Sequence, residues 1–262
     1  MEFTIENTTK CSTFVQLFKH LNSFTDTINI TLDKDKFFIQ GMDNSHISIF
    51  EMNILSTWFD KYTIEQPITI SIHIGFFQKI LNIRNDEQTI RIYNLDSDKI
   101  NIDFTCDKKD VYNNFFQLPM IDLNMEQLNI PETDYDLDID MKSKSFKLLI
   151  DQLSNFGDVM NISYQNDEFK LKSTNDIESS MEIKIGIDDL DACSVEENLD
   201  FQSSFSIQFI HYMTQCFKIS PTVHIHVSPD IPIQIKYLFD NTDEEQENTN
   251  YIRFFLAPKI DD

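Results

Sequence analysis

Glycine is almost missing from this chain: four in 262 residues, at positions 41, 75, 157 and 186. No two lie close enough for a GxxxxGK phosphate loop, a GxGxxG dinucleotide fingerprint or a GxSxG nucleophile elbow, so the sequence carries none of these chemistries in recognisable form. Cysteine is equally scarce. Cys11, Cys106, Cys193 and Cys216 are scattered, with no CxxC pair. They are too few for a disulfide framework or a zinc cage and read as reduced thiols. The six histidines form no HExxH. Cations are outnumbered, 21 Lys and Arg against 44 Asp and Glu, for a net charge of −23. Averaged over the surface, that charge repels a phosphate backbone. No apolar run reaches membrane-spanning length. The opening Met1-Glu2-Phe3-Thr4-Ile5-Glu6 has neither a basic nor an apolar signal region, so no secretory signal and no membrane partner are expected.

What is present is a globular composition, 41% hydrophobic and 12% aromatic, in a length suited to one large or two small domains. Two segments align without a gap, Phe14 to Thr31 and Phe146 to Ser163, at an offset of 132, about half the chain. The same offset pairs Phe37 with Phe169, Ile39 with Leu171 and Ser48 with Ser180. Agreement across a helix, a turn and two strands indicates an internal repeat. Phe14, Leu17, Phe18, Leu21 and Phe24 fall at helical spacing, while Ile28-Ile30-Leu32 and Phe37-Ile39 alternate as strands around an Asp33-Lys34-Asp35 turn. Helices are expected over 10–25, 75–85, 141–155 and 207–218. Each half then places two helices over a mostly antiparallel sheet, an α+β arrangement. The proline-bracketed stretch Pro119 to Pro131 reads as a connector, giving domains at 1–118 and 137–262 with the connector at 119–136.

The average charge conceals its placement. The four expected helices hold eight of the Lys and Arg but one acid, Asp151. Helices gathered on one side would make one weakly basic face on an otherwise acidic protein. Such a face suits a polyanion held loosely and without sequence preference. The alternative is that helices simply favour Lys while turns favour Asp.

Two further patterns have competing readings. His224 and His226 point to one face of an expected strand, as a metal pair or as a solvated strand face. Asp134, Asp136, Asp138 and Asp140 begin like a calcium loop, but Ile139 stands where the required glycine would be, and an amphipathic strand with its acids outward fits better. The acidic run Asp240–Glu247 reads as a solvated loop. With no paired catalytic constellation, neither an enzyme nor a cofactor is expected.

Several strings are specific. Ile39-Gln40-Gly41-Met42-Asp43-Asn44-Ser45-His46-Ile47-Ser48 and the connector string Ile121 to Glu132 are accompanied by Leu153 to Asp158, Ser228 to Pro232 and the ending Phe255-Leu256-Ala257-Pro258-Lys259-Ile260-Asp261-Asp262. In order, and over the whole chain, they resemble the proliferating cell nuclear antigen (PCNA) family of DNA sliding clamps. The resemblance implies a DNA clamp fold of two similar domains, assembled head to tail as a trimeric ring around duplex DNA, with the helices lining the hole. On that resemblance the DNA-facing residues are Lys10, Lys19, Lys79, Arg84, Lys144, Lys147, His211 and Lys218. Of these, Lys19, Lys79, Lys147 and Lys218 are expected to approach phosphate.

The resemblance also implies a groove for PIP-box peptides, short motifs with an aliphatic plug and two aromatics. Carried over by position, it uses Met42, His46, Ile47, Leu128, Ile130, Pro131, Pro232, Ala257, Pro258 and Ile260. The subunit interface would pair Tyr112, Phe115 and Gln117 with Glu178, Met181 and Lys184 of a neighbour. Partners would be DNA polymerase, a clamp loader and other PIP-box proteins. Asp151 and Asn155 stand where the family has arginine and histidine, and Asn166 lies near the place of its ubiquitin-accepting lysine. Low glycine with abundant Ile, Asn, Asp and Lys fits an AT-rich genome, of a large DNA virus or a divergent eukaryote. The expected location is the nucleus, or a viral replication compartment. The near-complete match of tail and connector favours a homotrimeric clamp over a subunit of a heteromeric checkpoint-type clamp or a non-ring viral processivity factor.

Overall fold

Alternating apolar residues set the strands, and the computed structural model of the chain describes residues 1–95, 98–123, 128–165, 168–239 and 249–259. Ile260, Asn166 and the run Asp240–Glu247 lie outside the described residues. The first half of the chain runs β1 (Glu2–Ile5), α1 (Thr8–Leu21), β2 (Thr27–Leu32), β3 (Lys36–Met42), β4 (Ser48–Leu55), β5 (Lys61–Thr63), β6 (Ile68–His73), α2 (Ile74–Leu81), β7 (Thr89–Tyr93), β8 (Lys99–Thr105) and β9 (Asn114–Pro119). The second half runs β10 (Leu137–Lys142), α3 (Ser143–Leu153), β11 (Val159–Gln165), β12 (Glu168–Thr174), β13 (Ser180–Gly186), β14 (Ala192–Val195), β15 (Phe201–Ser206), α4 (Ile207–Thr214), β16 (Thr222–Val227), β17 (Ile233–Leu238) and β18 (Tyr251–Leu256). The order is the same in both, including a short 3-10 turn after β4 (Ser56–Trp58) and after β13 (Ile187–Asp189).

Sheet topology repeats as well. The first half has strand orders β5–β1–β7–β8–β9 and β6–β2–β3–β4, and the second β14–β10–β16–β17–β18 and β15–β11–β12–β13. Each half is thus α+β with two sheets where the periodicity alone suggested one. The two compact units meet in the chain between Leu128 and Asn129, inside the expected connector. Ser45–Phe50 groups with the second unit, and a short piece ending at Tyr251 groups with the first.

Local chemistry accounts for the elements. Asn7 caps α1 by accepting from the backbone N–H of Thr9 (3.0 Å) and Lys10 (3.1 Å). Cys11, Phe14, Leu17, Phe18 and Leu21 form its buried stripe, which leaves Lys19 exposed. The helix ends at Leu21, earlier than expected, and Phe24 is buried as part of the turn that follows. The β2–β3 hairpin sits where Asp33-Lys34-Asp35 was expected to turn. Asp33 Oδ1 accepts from the N–H of Asp35 (2.8 Å) and Lys36 (2.9 Å), setting the register Ile30↔Ile39 and Leu32↔Phe37.

Repeat positions pack differently in the two units. In the first, Phe3, Phe14, Phe18, Phe37 and Phe77 meet ring to ring, with Phe18 and Phe77 centroids 4.7 Å apart at 79°. Such edge-on pairs add about 0.5–1.5 kcal/mol each beyond area burial. In the second, Ile150 and Ile210 stand where Phe18 and Phe77 do, while Phe146 and Phe169 keep the places of Phe14 and Phe37, so the core there is part aliphatic.

Two expectations for the fold can be measured. A Cβ on Gly157 would lie 2.4 Å from the carbonyl oxygen of Thr174 and 2.9 Å from Ser173 Oγ. Backbone on the far side cannot yield cheaply, so Gly157→Ala is expected to cost about 2 kcal/mol, read as a shift in the denaturant midpoint at unchanged slope. Cys11 and Cys216 are buried, and burial pushes the Cys11 thiol up to about 11 and that of Cys216 still higher. Iodoacetamide at neutral pH should therefore alkylate Cys106 first and spare Cys11 and Cys216 until the protein is denatured, as peptide mass mapping would record.

Candidate nucleic-acid and partner interface

The helices bury one stripe each and turn the rest outward. On α1 and α2 the exposed cations are Lys19 and Lys79, and on α3 and the turn after α4 they are Lys144 and Lys218. Lys142, at the start of α3, is exposed too. Between them sit apolar side chains that the charge count missed, with Phe76, Ile83 and Leu148 all exposed. Lys79 Nζ lies 5.2 Å from the Phe76 ring centroid, and Lys218 Nζ 5.7 Å from that of Phe217.

Three expected DNA contacts are committed elsewhere. Lys10 Nζ donates to the carbonyl of Trp58 (2.6 Å) and lies over that indole. Lys147 pairs with Asp151 one turn along α3, and His211 Nδ1 of α4 lies 3.2 Å from the other Asp151 oxygen. The acid that replaces the family arginine therefore neutralises a lysine expected to face phosphate. Asn155 is exposed and folds back on its own helix end, its Nδ2 donating to the carbonyls of Asp151 (2.8 Å) and Gln152 (3.2 Å).

Arg84 departs furthest from expectation. Its side chain is 3% exposed, and Nη1 donates to the carbonyls of Asn85 (3.0 Å), Asp86 (3.2 Å) and Gln88 (2.8 Å) while Nη2 donates to Ser12 Oγ (3.1 Å). A buried guanidinium held by three carbonyls knits a loop together and turns those N–H groups away from a ligand. That loop continues into Gln88, also buried. Its Oε1 accepts from Asn85 N (2.8 Å), and its Nε2 donates to the carbonyl of Tyr112 (2.8 Å) and to Asn114 Oδ1 (3.1 Å). Arg84 and Gln88 together position the start of β9.

The expected interface residues fall at strand margins. β9 and β13 each end the order of their sheets as assigned above. Tyr112 precedes β9 and is 81% exposed, while Phe115 within it is 68% exposed. Gln117 Nε2 donates to Asn101 Oδ1 (3.2 Å) on the neighbouring strand. Met181 and Lys184 lie in β13, and Lys184 pairs with Glu168 at 3.4 Å. Glu178 is not in the strand. It occupies the turn before β13 in a left-handed conformation, φ 63°, beside Ile177, which is 83% exposed and was not anticipated from sequence.

The expected groove residues divide between the units. In the first, Met42 ends β3, and Leu128 is clasped by Gln40, which accepts from Leu128 N–H (2.6 Å) and donates to its carbonyl (2.9 Å). In the second, the exposed Ile47 carbonyl accepts from Ala257 N–H (3.0 Å), and His46 is left-handed, φ 59°. Pro131 and Pro232 are exposed, and Ile130 and Pro258 are half-buried. Tyr135 donates its hydroxyl to the Pro232 carbonyl (3.3 Å), and burial pushes that phenol up to about 12, keeping it a donor.

The ambiguous histidines resolve as cross-strand pairs. His224 Nδ1 lies 2.7 Å from Asp140 Oδ1 and His226 Nδ1 2.6 Å from Asp138 Oδ1, in the β10–β16 register. Asp138 and Asp140 lie in strand β10, while Asp134 and Asp136 precede it, so the expected strand covers half of the run.

Comparison with known proteins follows the same outline. The profile of the proliferating cell nuclear antigen N-terminal domain matches residues 4–127, and that of the C-terminal domain matches residues 129–259. "Proliferating cell nuclear antigen 2" of Plasmodium falciparum (isolate 3D7) is 28% identical over 257 residues, covering 95% of this chain and 96% of that protein. A chain from the crystal structure of the PCNA2-PCNA3 complex of Sulfolobus tokodaii matches with a TM-score of 0.84 at 18% identity, covering 99% of each chain, a likeness of fold. Two domain profiles in sequence over a doubled β-α-β-β-β-β-β-α-β-β-β unit place this chain in the proliferating cell nuclear antigen family of clamps.

Proposed function

We propose that three copies of this chain close head to tail around duplex DNA and hold it without regard to sequence. The ring acts as a tether and not as an enzyme. DNA polymerase, a clamp loader and other proteins dock on it through PIP-box peptides, in the nucleus or, if the source is viral, in a replication compartment.

The observation that carries the reading is a pair of bare strand edges inside a repeat. β13 occupies the place of β4, and β9 the place of β18. β4 is almost wholly buried, and Asn53 Nδ2 and Leu55 N–H on it bond the Thr249 carbonyl and Asn250 Oδ1, each at 2.8 Å. β13 alternates between exposed and half-buried, as does most of β9. Tyr112, Phe115 and Ile177 beside these edges are the kind of large apolar side chains that a partner strand would cover. Laying β9 of one copy along β13 of the next satisfies both ladders, and a head-to-tail contact that closes gives cyclic symmetry.

The helix cations support the DNA part of the reading, with Lys19, Lys79, Lys144 and Lys218 as the contacts. Lys144 takes the place of Lys147, which Asp151 neutralises. A second reading is a heteromeric ring, in which β9 meets a different chain. It is favoured by the structural neighbour, whose title names a complex of two clamp proteins.

Light scattering at low micromolar protein should give a mass near three times the chain mass of 30.9 kDa. A mass of one chain would reject the homotrimer in favour of the heteromeric ring. Phe115→Asp should convert the trimer to monomers with an unchanged circular dichroism spectrum. For DNA, log affinity for a linear duplex falls with log salt by about 0.9 per phosphate neutralised. Replacing Lys19, Lys79, Lys144 and Lys218 together by Ala should flatten that slope and weaken binding to every sequence alike. An unchanged slope would move the contacts elsewhere.

A further inference from the structure

We infer that Gln40 is a positioning residue for partner-peptide binding, and that it acts through a three-way amide clip linking β3, β4 and Leu128. The inference rests on the groove reading above and names a residue outside it. Gln40 and Met42 are two apart on β3 and share a face. On that face Gln40 makes a two-point contact with Leu128, accepting its N–H on Oε1 (2.6 Å) and donating Nε2 to its carbonyl (2.9 Å). A side-chain amide here does what a neighbouring strand would do, at a residue that is not itself in a strand. Met42 and Leu128, the two proposed groove residues of the first unit, are thereby set relative to one another by one side chain.

The third arm fixes the direction of the amide. Nε2 also donates to Glu51 Oε1 (2.8 Å), on β4, and Glu51 is buried. Glu51 Oε1 accepts here, so the amide turns its nitrogen toward Glu51. Its oxygen is then left facing the Leu128 N–H. Both amide hydrogens and one carbonyl lone pair are used, and a flipped amide would set its oxygen against two acceptors and its nitrogen against the Leu128 N–H. The Glu51 arm is part-buried, so the orientation it sets persists, because the opposite one leaves a shielded group unsatisfied. A peptide that meets Leu128 already in place has less chain to order as it binds, which is where preorganisation raises affinity.

The probe is a fluorescein-labelled synthetic peptide with an aliphatic plug and two aromatic residues, titrated into the intact full-length protein. Gln40→Met keeps the length and removes all three hydrogen bonds. It is expected to raise the peptide Kd roughly tenfold, about 1.4 kcal/mol, to speed hydrogen exchange at the Leu128 amide, and to leave the oligomeric mass unchanged. Glu51→Gln, which allows the amide to flip, should move both readouts the same way by a smaller amount. Faster exchange at Leu128 with an unchanged Kd would overturn the inference, since the clip would then hold the chain without serving the peptide. Unchanged exchange in Gln40→Met would overturn it by removing the clip itself. A wild-type protein that does not bind the peptide would instead reject the groove reading, whatever Leu128 exchange shows.

Discussion

Backbone N–H and C=O groups at the margin of a sheet need partners, and in this chain that need is met unevenly. The same supersecondary unit is written twice, so each margin in one half has a counterpart in the other. Among the described residues, β4 has its flank occupied and β13 has not. An unsatisfied margin in a monomeric protein is usually shortened, charged or bent away. Here β13 and β9 are seven and six residues long, and Tyr112, Phe115 and Ile177 stand beside them. Arg84 and Gln88 hold the approach to β9, and the proposed ring gives a reason to keep such edges open.

Electrostatics takes second place to that geometry. A net charge of −23 leaves little attraction for DNA, and the lining described here is weaker still than its lysine count. Lys10 is spent on Trp58, Lys147 on Asp151 and Arg84 on carbonyls. Exposed Phe76, Ile83 and Leu148 share the helix faces with the remaining cations. In the proposed ring, enclosure holds the DNA and charge only centres it, since a closed loop needs no affinity to stay on a long duplex.

Much of the architecture was legible because it rests on periodicity. The offset of 132 anticipated the duplicated fold, Asp33 marked its turn, and the alternating aspartates marked β10. Short strands such as β1, β5 and β14 carry too few alternations to register. The roles of individual charges were less legible. Arg84 follows α2 in a sequence with no local sign that carbonyls from residues 85 to 88 curl back around it. Asp151 was visible as a departure, but its partners arrive from one turn along the helix and from α4. Gln40 gave no signal because an amide on a strand has no preferred job until Leu128 and Glu51 come within reach. Periodicity is a property of segments, whereas these are properties of meetings between segments.

The Arg84–Gln88 network bears on how a ring of this kind could come apart. Gln88 ties the Tyr112 carbonyl and Asn114 to the loop after α2, and Arg84 ties that loop to Ser12 on α1. The beginning of β9 is thereby riveted to two helices. Pulling on it from outside would load those helices before it could fray residue by residue. In the proposed ring, a seam built on this edge would part as a latch does, with the edge released whole, and re-form with its register already set.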